Sequence, residues 1–218
     1  MRLSLKVASV AMIASLPVAL AVAWVLARKE FWGKSLLNGL VHLPLVMPPV
    51  VTGYLLLLTF GTKGPVGSLL AQVGIVFAFR WTGAALACAV MGFPLMVRAI
   101  RLSIEAVDRR LEQASATLGA SAALVFLTVT LPLTIPGIIA GMILCFAKAM
   151  GEFGATITFV SAIPGETQTI PSAIYGLLQV PGGERGVLRL ALVALAISLL
   201  ALLAAEALAR RMRHEAPR

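Results

Sequence analysis

An all-α polytopic membrane protein with about five transmembrane helices is the fold class this sequence predicts, and three observations carry the prediction. Of the 218 residues, 60% are hydrophobic and only 12% are charged, and the mean hydropathy is +0.98, far from the balance of a water-soluble domain. Five apolar runs, at 7–26, 36–60, 81–100, 125–150 and 187–208, reach the roughly 20 residues needed to cross about 30 Å of hydrocarbon. The basic side chains flank these runs instead of forming one stripe interleaved with aromatics. The net charge of +9 therefore speaks for membrane topology and against a nucleic-acid partner. A single domain, 1–218, follows.

The first run, 7–26, is as long as a full span and is followed at once by Arg28 and Lys29. It is expected to remain as a span rather than be removed as a secretory signal, although Arg2 and Lys6 precede it. The second run, 36–60, carries Pro44, Pro48 and Pro49 together with Asn38, His42, Thr52 and Tyr54. Each proline removes a backbone donor, which lipid tolerates only where protein or water satisfies the freed carbonyls. A bent, mobile span facing protein or a pathway is expected. The short runs 66–79 and 170–180 fall below spanning length and are expected to be re-entrant or surface helices.

The third run, 81–100, contains Cys88, and the fourth, 125–150, contains Cys145. With no CxxC, both cysteines are expected as small buried hydrophobes. The fourth run also holds Gly137 and Gly141, a GxxxG that permits close helix approach. Lys148 and Glu152 follow four residues apart, so Glu152 is expected to be structural, paired with Lys148 or with backbone. GATITFVSAIPGETQTIPS comes next and is expected to be an external loop with a short helix beyond it. The fifth run, 187–208, ends in a basic tail.

Five spans put Arg28, Lys29, Lys34, Arg98, Arg101, Arg109, Arg110, Arg210, Arg211, Arg213 and Arg218 on one side, eleven of the 18 Lys and Arg. The positive-inside rule makes that side cytoplasmic, with the N-terminus outside and the C-terminus inside. His42 and His214 form no metal-ligand pattern, and Gly61-Thr62-Lys63-Gly64 lacks the spacing of a phosphate loop. No metal site and no nucleotide site are expected. Paired acids for intramembrane catalysis are missing too, so an enzyme is not expected.

The cytoplasmic segment 101–124 interrupts the spans. Ile104, Val107, Leu111, Ala114 and Leu118 recur at helical intervals as an apolar seam, and Glu105 and Arg109 are spaced as a helical ion pair. Gly119 supplies a break where positive φ is tolerated. A second short helix then enters the membrane near Leu131-Pro132.

Gln113-Ala114-Ser115, three residues, Gly119, nine residues and Val129-Thr130-Leu131-Pro132 together resemble the EAA–xxx–G–x9–I–x–LP signature of ABC importer permeases. Gln113 stands where the family has Glu, with Glu112 just before it, Ser115 replaces the second Ala, and Val129 replaces Ile. A simple channel would need no such loop. LSLKVAS, HLPLVMPPVVTGYLLL, MGFPLMVRAIRLSIEAVD, LEQASATLGAS, TLPLTIPGIIAG, GEFGATITFVS and IPGETQTIPSAIY extend the resemblance to the molybdate ABC transporter permeases over nearly the whole chain.

The resemblance implies the ABC importer permease fold of the small molybdate, sulfate and methionine type. It implies import of molybdate, with tungstate expected as well, across a bacterial inner membrane; a sulfate or thiosulfate permease is the alternative. Its implied partners are two cytoplasmic ATPase subunits that carry ATP and Mg, a periplasmic molybdate-binding protein, a second copy of this chain and the surrounding lipid. The implied ATPase-coupling loop comprises Glu112, Gln113, Ala114, Ser115, Gly119, Leu131 and Pro132. Within it Gly119→Val is expected to be the severe substitution and Glu112→Ala the milder one. An oxyanion cannot cross hydrocarbon unpaired, so hydroxyls must line its path; Thr52, Thr156, Thr158 and Ser161 are the candidates.

Overall fold

The computed structural model describes residues 1–215, and every regular element among them is helical. Arg218 lies outside the described residues, as do the side chains of Arg210, Arg211, Arg213 and His214. In chain order the elements are α1 (Arg2–Arg28), α2 (Lys34–Val46), α3 (Pro49–Phe60), α4 (Pro65–Gln72), α5 (Trp81–Glu105), α6 (Arg109–Thr117) and α7 (Ala122–Val125). A π-helical turn (Phe126–Thr130) follows, then α8 (Leu131–Met150), α9 (Gly154–Val160), α10 (Ile170–Leu178) and α11 (Glu184–Glu215).

α1, α5 and α8 pack together as the centre of the molecule, and α11 lies against α8 from outside. Lipid is as apolar as leucine, so close van der Waals packing rather than escape from water must hold these helices together. The sequence supplies small residues for it. Ala8, Ala11, Ser15, Ala19 and Ala23 form a buried stripe along α1, and Ser15 folds its hydroxyl back onto Ala11 O at 2.6 Å. On α8, a Cβ at Gly137 would run into Ser103 of α5, and one at Gly141 would lie 3.0 Å from Met96 O. The GxxxG is thus an internal contact. Cys88 and Cys145 are free and buried.

The helix ends define two ends of the molecule. Near the start of α1, Lys6 Nζ lies 3.5 Å from the Trp81 ring centroid at the head of α5, and the Ile170 N–H donates to Ser4 Oγ at 2.8 Å. At the finish of α1, Arg28 meets the segment that follows α5. α1 and α5 therefore run in the same direction and α8 returns.

Four helical stretches are long and apolar enough to cross a membrane: α1, α5, the continuous Ala122–Met150 and Glu184–Leu203. The second sequence run is not a single kinked span. α2 and α3 meet at 114°. Pro44 sits inside α2 without ending it, whereas Met47 and Pro48 are both extended, at ψ 145° and 132°. Each precedes a proline, whose ring disfavours the helical region for the residue before it. The pair still joins the two ends, since Arg101 at the end of α5 donates to Asn38 of α2 at 3.0 Å, while Phe60 at the end of α3 stacks edge-on with Phe77 just before α5.

A second departure concerns GATITFV, expected as loop. It forms α9, with Ala155, Thr156, Phe159 and Val160 buried against α3 and α5. Gly and β-branched residues make it a poor helix former alone; burial overrides that preference. The short runs become α4, with eight residues, and α10, with nine.

Candidate functional site: the corner built around α6

α5 stops at Glu105, and Asp108 starts a new helix by accepting the Arg110 N–H at 2.9 Å. This break overturns two expectations about 101–124. The seam is not continuous: Ile104 and Val107 are buried with α5, while Leu111 is half exposed and Leu118 is 90% exposed. Glu105 and Arg109 fall on different helices, and Glu105 pairs instead with Arg101 at 2.7 Å. α6 buries no residue at all. A nine-residue helix with an unburied apolar edge is too short to persist by propensity, so something must tether it.

Glu112 is the tether. Its Oε1 accepts from Arg28 Nη2 at 3.0 Å and from Thr130 Oγ1 at 2.6 Å, while the same Arg28 nitrogen donates to Val107 O at 3.3 Å. One carboxylate thereby joins the end of α1, the α5–α6 bend and the foot of α8. The side chains of Arg28 and Glu112 are 10% and 19% exposed, and Thr130 is buried. The π-helical turn ends where the Leu131 N–H bonds Phe126 O, five residues back. That wide turn leads into α8 through Thr130. Trp24 and Phe126 add an edge-on ring contact with centroids 6.4 Å apart. Between them lies a cleft of about 390 Å³ that Arg109 and Gln113 also line.

Of the loop residues marked by the sequence, Glu112 thus turns inward. Gln113, Ala114 and Gly119 are exposed, Ser115 is half exposed, Leu131 is half-buried and Pro132 is exposed at the foot of α8. The outward α6 surface carries no carboxylate at the signature position. Gly119 follows α6 with φ +89°, and no atom lies within 4 Å of where its Cβ would be. Backbone conformation, not space, requires glycine there. Arg28 and Thr130 were missed by sequence reasoning. Arg28 looks like an ordinary membrane anchor and stands 84 positions from its partner, so no local pattern could have marked it.

The pathway candidates collect on α3 and α9. A Cβ on Gly53 would lie 2.5 Å from Ala155 O and 2.9 Å from Thr158 Cβ, which brings these helices into backbone contact. Thr156 donates to Phe153 O at 2.9 Å and Thr158 to Gly154 O at 2.8 Å. Thr52 is buried and its hydroxyl has no partner. Ser161 ends α9 at φ 62°, exposed, with its carbonyl accepting from Thr167 at 3.1 Å. Glu152 is 2% exposed and accepts from Lys148 Nζ at 2.8 Å and from the Ala155 N–H at 3.0 Å. The pairing with Lys148 and with backbone is the one the sequence suggested, and it closes the head of α9, a helix the sequence did not suggest.

The model for binding-protein-dependent transport system inner membrane components matches residues 15–214. The molybdenum transport system permease protein ModB of Escherichia coli (strain K12) is 59% identical over 217 residues, covering 99% of this chain and 95% of that protein. The Haemophilus influenzae protein of the same name is 58% identical over 214 residues, covering 98% and 93%. A sulfate transport system permease protein of Synechococcus elongatus is more distant, 40% identical over 152 residues, covering 70% and 53%. Among solved structures, an amino acid ABC transporter shares the fold at TM-score 0.66 and 19% identity, covering 97% of this chain and 91% of its own. A bacterial alginate ABC transporter in complex with its periplasmic protein does so at TM-score 0.73 and 16% identity, covering 97% and 77%.

Proposed function

Because this chain belongs to the family of binding-protein-dependent transport system inner membrane components, and within it to the molybdenum permeases, we propose a mechanism in which α6 carries force from a partner ATPase into the spans. The chain is a membrane-embedded transport component and not an enzyme, and its cargo is molybdate. The 59% identity over 217 residues carries this reading.

The family match supports a division of labour among several chains. Two copies of it line one pathway, two cytoplasmic ATPase subunits hold ATP and Mg²⁺, and a periplasmic protein delivers the oxyanion. The eleven basic residues flanking one side of the spans support an arrangement in which α6 faces the cytoplasm, the N-terminus faces outward and the C-terminus inward. Leu111, Ala114 and Leu118 then meet the ATPase. When the ATPase pair closes, α6 moves as a lever, and Glu112 passes the displacement to α1 through Arg28 and to α8 through Thr130. The 114° junction between α2 and α3 gives the α3–α9 pair freedom to open and close the outer side of the pathway, along which Thr52 and Ser161 offer polar groups to the ion.

Reconstitution tests the whole reading. Vesicles holding this chain with its ATPase and binding protein should take up labelled molybdate only with ATP, tungstate should compete and a similar excess of sulfate should not. Two permease chains per two ATPases should be counted in the purified complex. Uptake without ATP, or equal competition by sulfate, refutes the reading.

A further inference from the structure

On the side that α6 occupies, α2 and α5 enclose a cleft of about 310 Å³ lined by Asn38, His42, Arg98, Arg101, Leu102 and Glu105. Its hydrogen-bonding groups are unevenly matched. Arg101 donates Nε to Glu105 Oε1 at 2.7 Å and Nη1 to Asn38 Oδ1 at 3.0 Å. The one carboxylate lining the cleft is therefore already neutralised. Asn38 O lies 2.8 Å from His42 Nδ1, and since a carbonyl only accepts, Nδ1 carries the proton. What remains without a partner is the amide NH₂ of Asn38 and the whole guanidinium of Arg98, with further N–H groups on Arg101.

Position sharpens the point. Arg98 is exposed two residues before the end of the apolar run 81–100, at the edge where a span meets the polar headgroup region, and an unpaired guanidinium there attracts a counter-anion. Two arginines and an amide that present donors only, in planar forks, match an X–O group with several acceptor oxygens.

We propose that the α2–α5 cleft binds a tetrahedral oxyanion group through Arg98, the Asn38 amide and the free N–H groups of Arg101. Two sources share that chemistry. One is the transported oxyanion leaving the pathway, which rests on the function proposed above. The other is the phosphate of an anionic phospholipid in the adjoining leaflet.

The permease–ATPase complex in nanodiscs separates them. Labelled molybdate is titrated into discs of neutral phosphatidylcholine, and phosphatidylglycerol retention is counted by native mass spectrometry in a second series. Arg98→Gln removes the unpaired charge. Asn38→Asp keeps the oxygen that Arg101 needs while replacing the free donor by a negative charge, so it remains informative if Arg98→Gln fails to assemble. Both variants should weaken one probe by about tenfold or more. A loss confined to molybdate identifies the departing cargo, a loss confined to phosphatidylglycerol identifies the lipid, and a loss of both identifies a shared site. Wild-type affinity for both probes in both variants, or no binding of either probe to the unmodified complex, overturns the proposal. ATP-driven uptake by the unmodified complex is measured alongside, and its failure would count against the transport reading and not against the cleft.

Discussion

Glu112→Ala should disable the lever more severely than the exposed position of α6 suggests. The substitution leaves the Arg28 guanidinium with only the 3.3 Å contact to Val107 O, and its Nε is already buried without a partner. Breaking a fully buried ion pair costs about 3–5 kcal/mol. Because Arg28 and Glu112 keep 10% and 19% exposure, the loss here is nearer to about 2–3 kcal/mol. The Thr130 hydroxyl, buried and deprived of its acceptor, adds about 1 kcal/mol. Some 3–4 kcal/mol of local tethering corresponds to about two to three decades in the opening equilibrium of the corner.

Gly119→Val, by comparison, meets open space and suffers only from its positive φ, at about 1–3 kcal/mol. The ranking expected from sequence is therefore reversed. Hydrogen exchange on the assembled complex is the assay. Amides of 109–118 should exchange about a hundredfold faster in Glu112→Ala, while α1, α5 and α8 keep their protection and ATP is hydrolysed without matching uptake. Glu112→Gln, which retains an acceptor oxygen, should fall between. Unchanged exchange together with wild-type uptake in Glu112→Ala would refute the tether.

Gly119→Ala should lower uptake modestly and Gly119→Val more, with normal membrane levels of both; equal uptake by Val and wild type would remove the need for positive φ at the corner. Thr52→Val should leave thermal stability unchanged or raise it by about 1 kcal/mol, because the hydroxyl it removes is buried and unpaired, and a fall in uptake at unchanged stability would place Thr52 on the pathway. Glu152→Ala leaves Lys148 and the head of α9 without their acceptor and should destabilise the purified protein by about 2–4 kcal/mol, seen as a lower Tm; an unchanged Tm would show that the pair is idle. Ser121→Cys and Glu166→Cys, both exposed, should react with impermeant thiol reagents from the cytoplasmic and outer faces respectively, with little background from buried Cys88 and Cys145; labelling of both from one face would overturn the topology.

The four long apolar helical stretches were legible in the linear sequence because hydropathy is a sum over neighbours, and a run of twenty apolar residues has few other places to go. Gly119 bounds α6 for an equally local reason, taking a positive φ just past its end, whereas the cap at Asp108 went unread because the apolar spacing of Ile104 and Val107 runs on into α6. The three prolines marked a bend in the second run, since the restriction on the residue before proline acts within one peptide unit. The 114° junction did not follow from them, because the angle is set where Gly53 and Gly154 let α3 and α9 touch. GATITFV was misread for the same cause: its intrinsic preference is weak and α3 and α5 supply what the segment lacks. Glu112 is the sharpest case. As a string, LEQAS offers a carboxylate to an outside partner, and only the arrival of Arg28 from 84 positions away and of Thr130 from 18 turns it inward. Its direction depends on which distant charge lies within about 3 Å, and that is a property of packed helices, not of neighbouring letters.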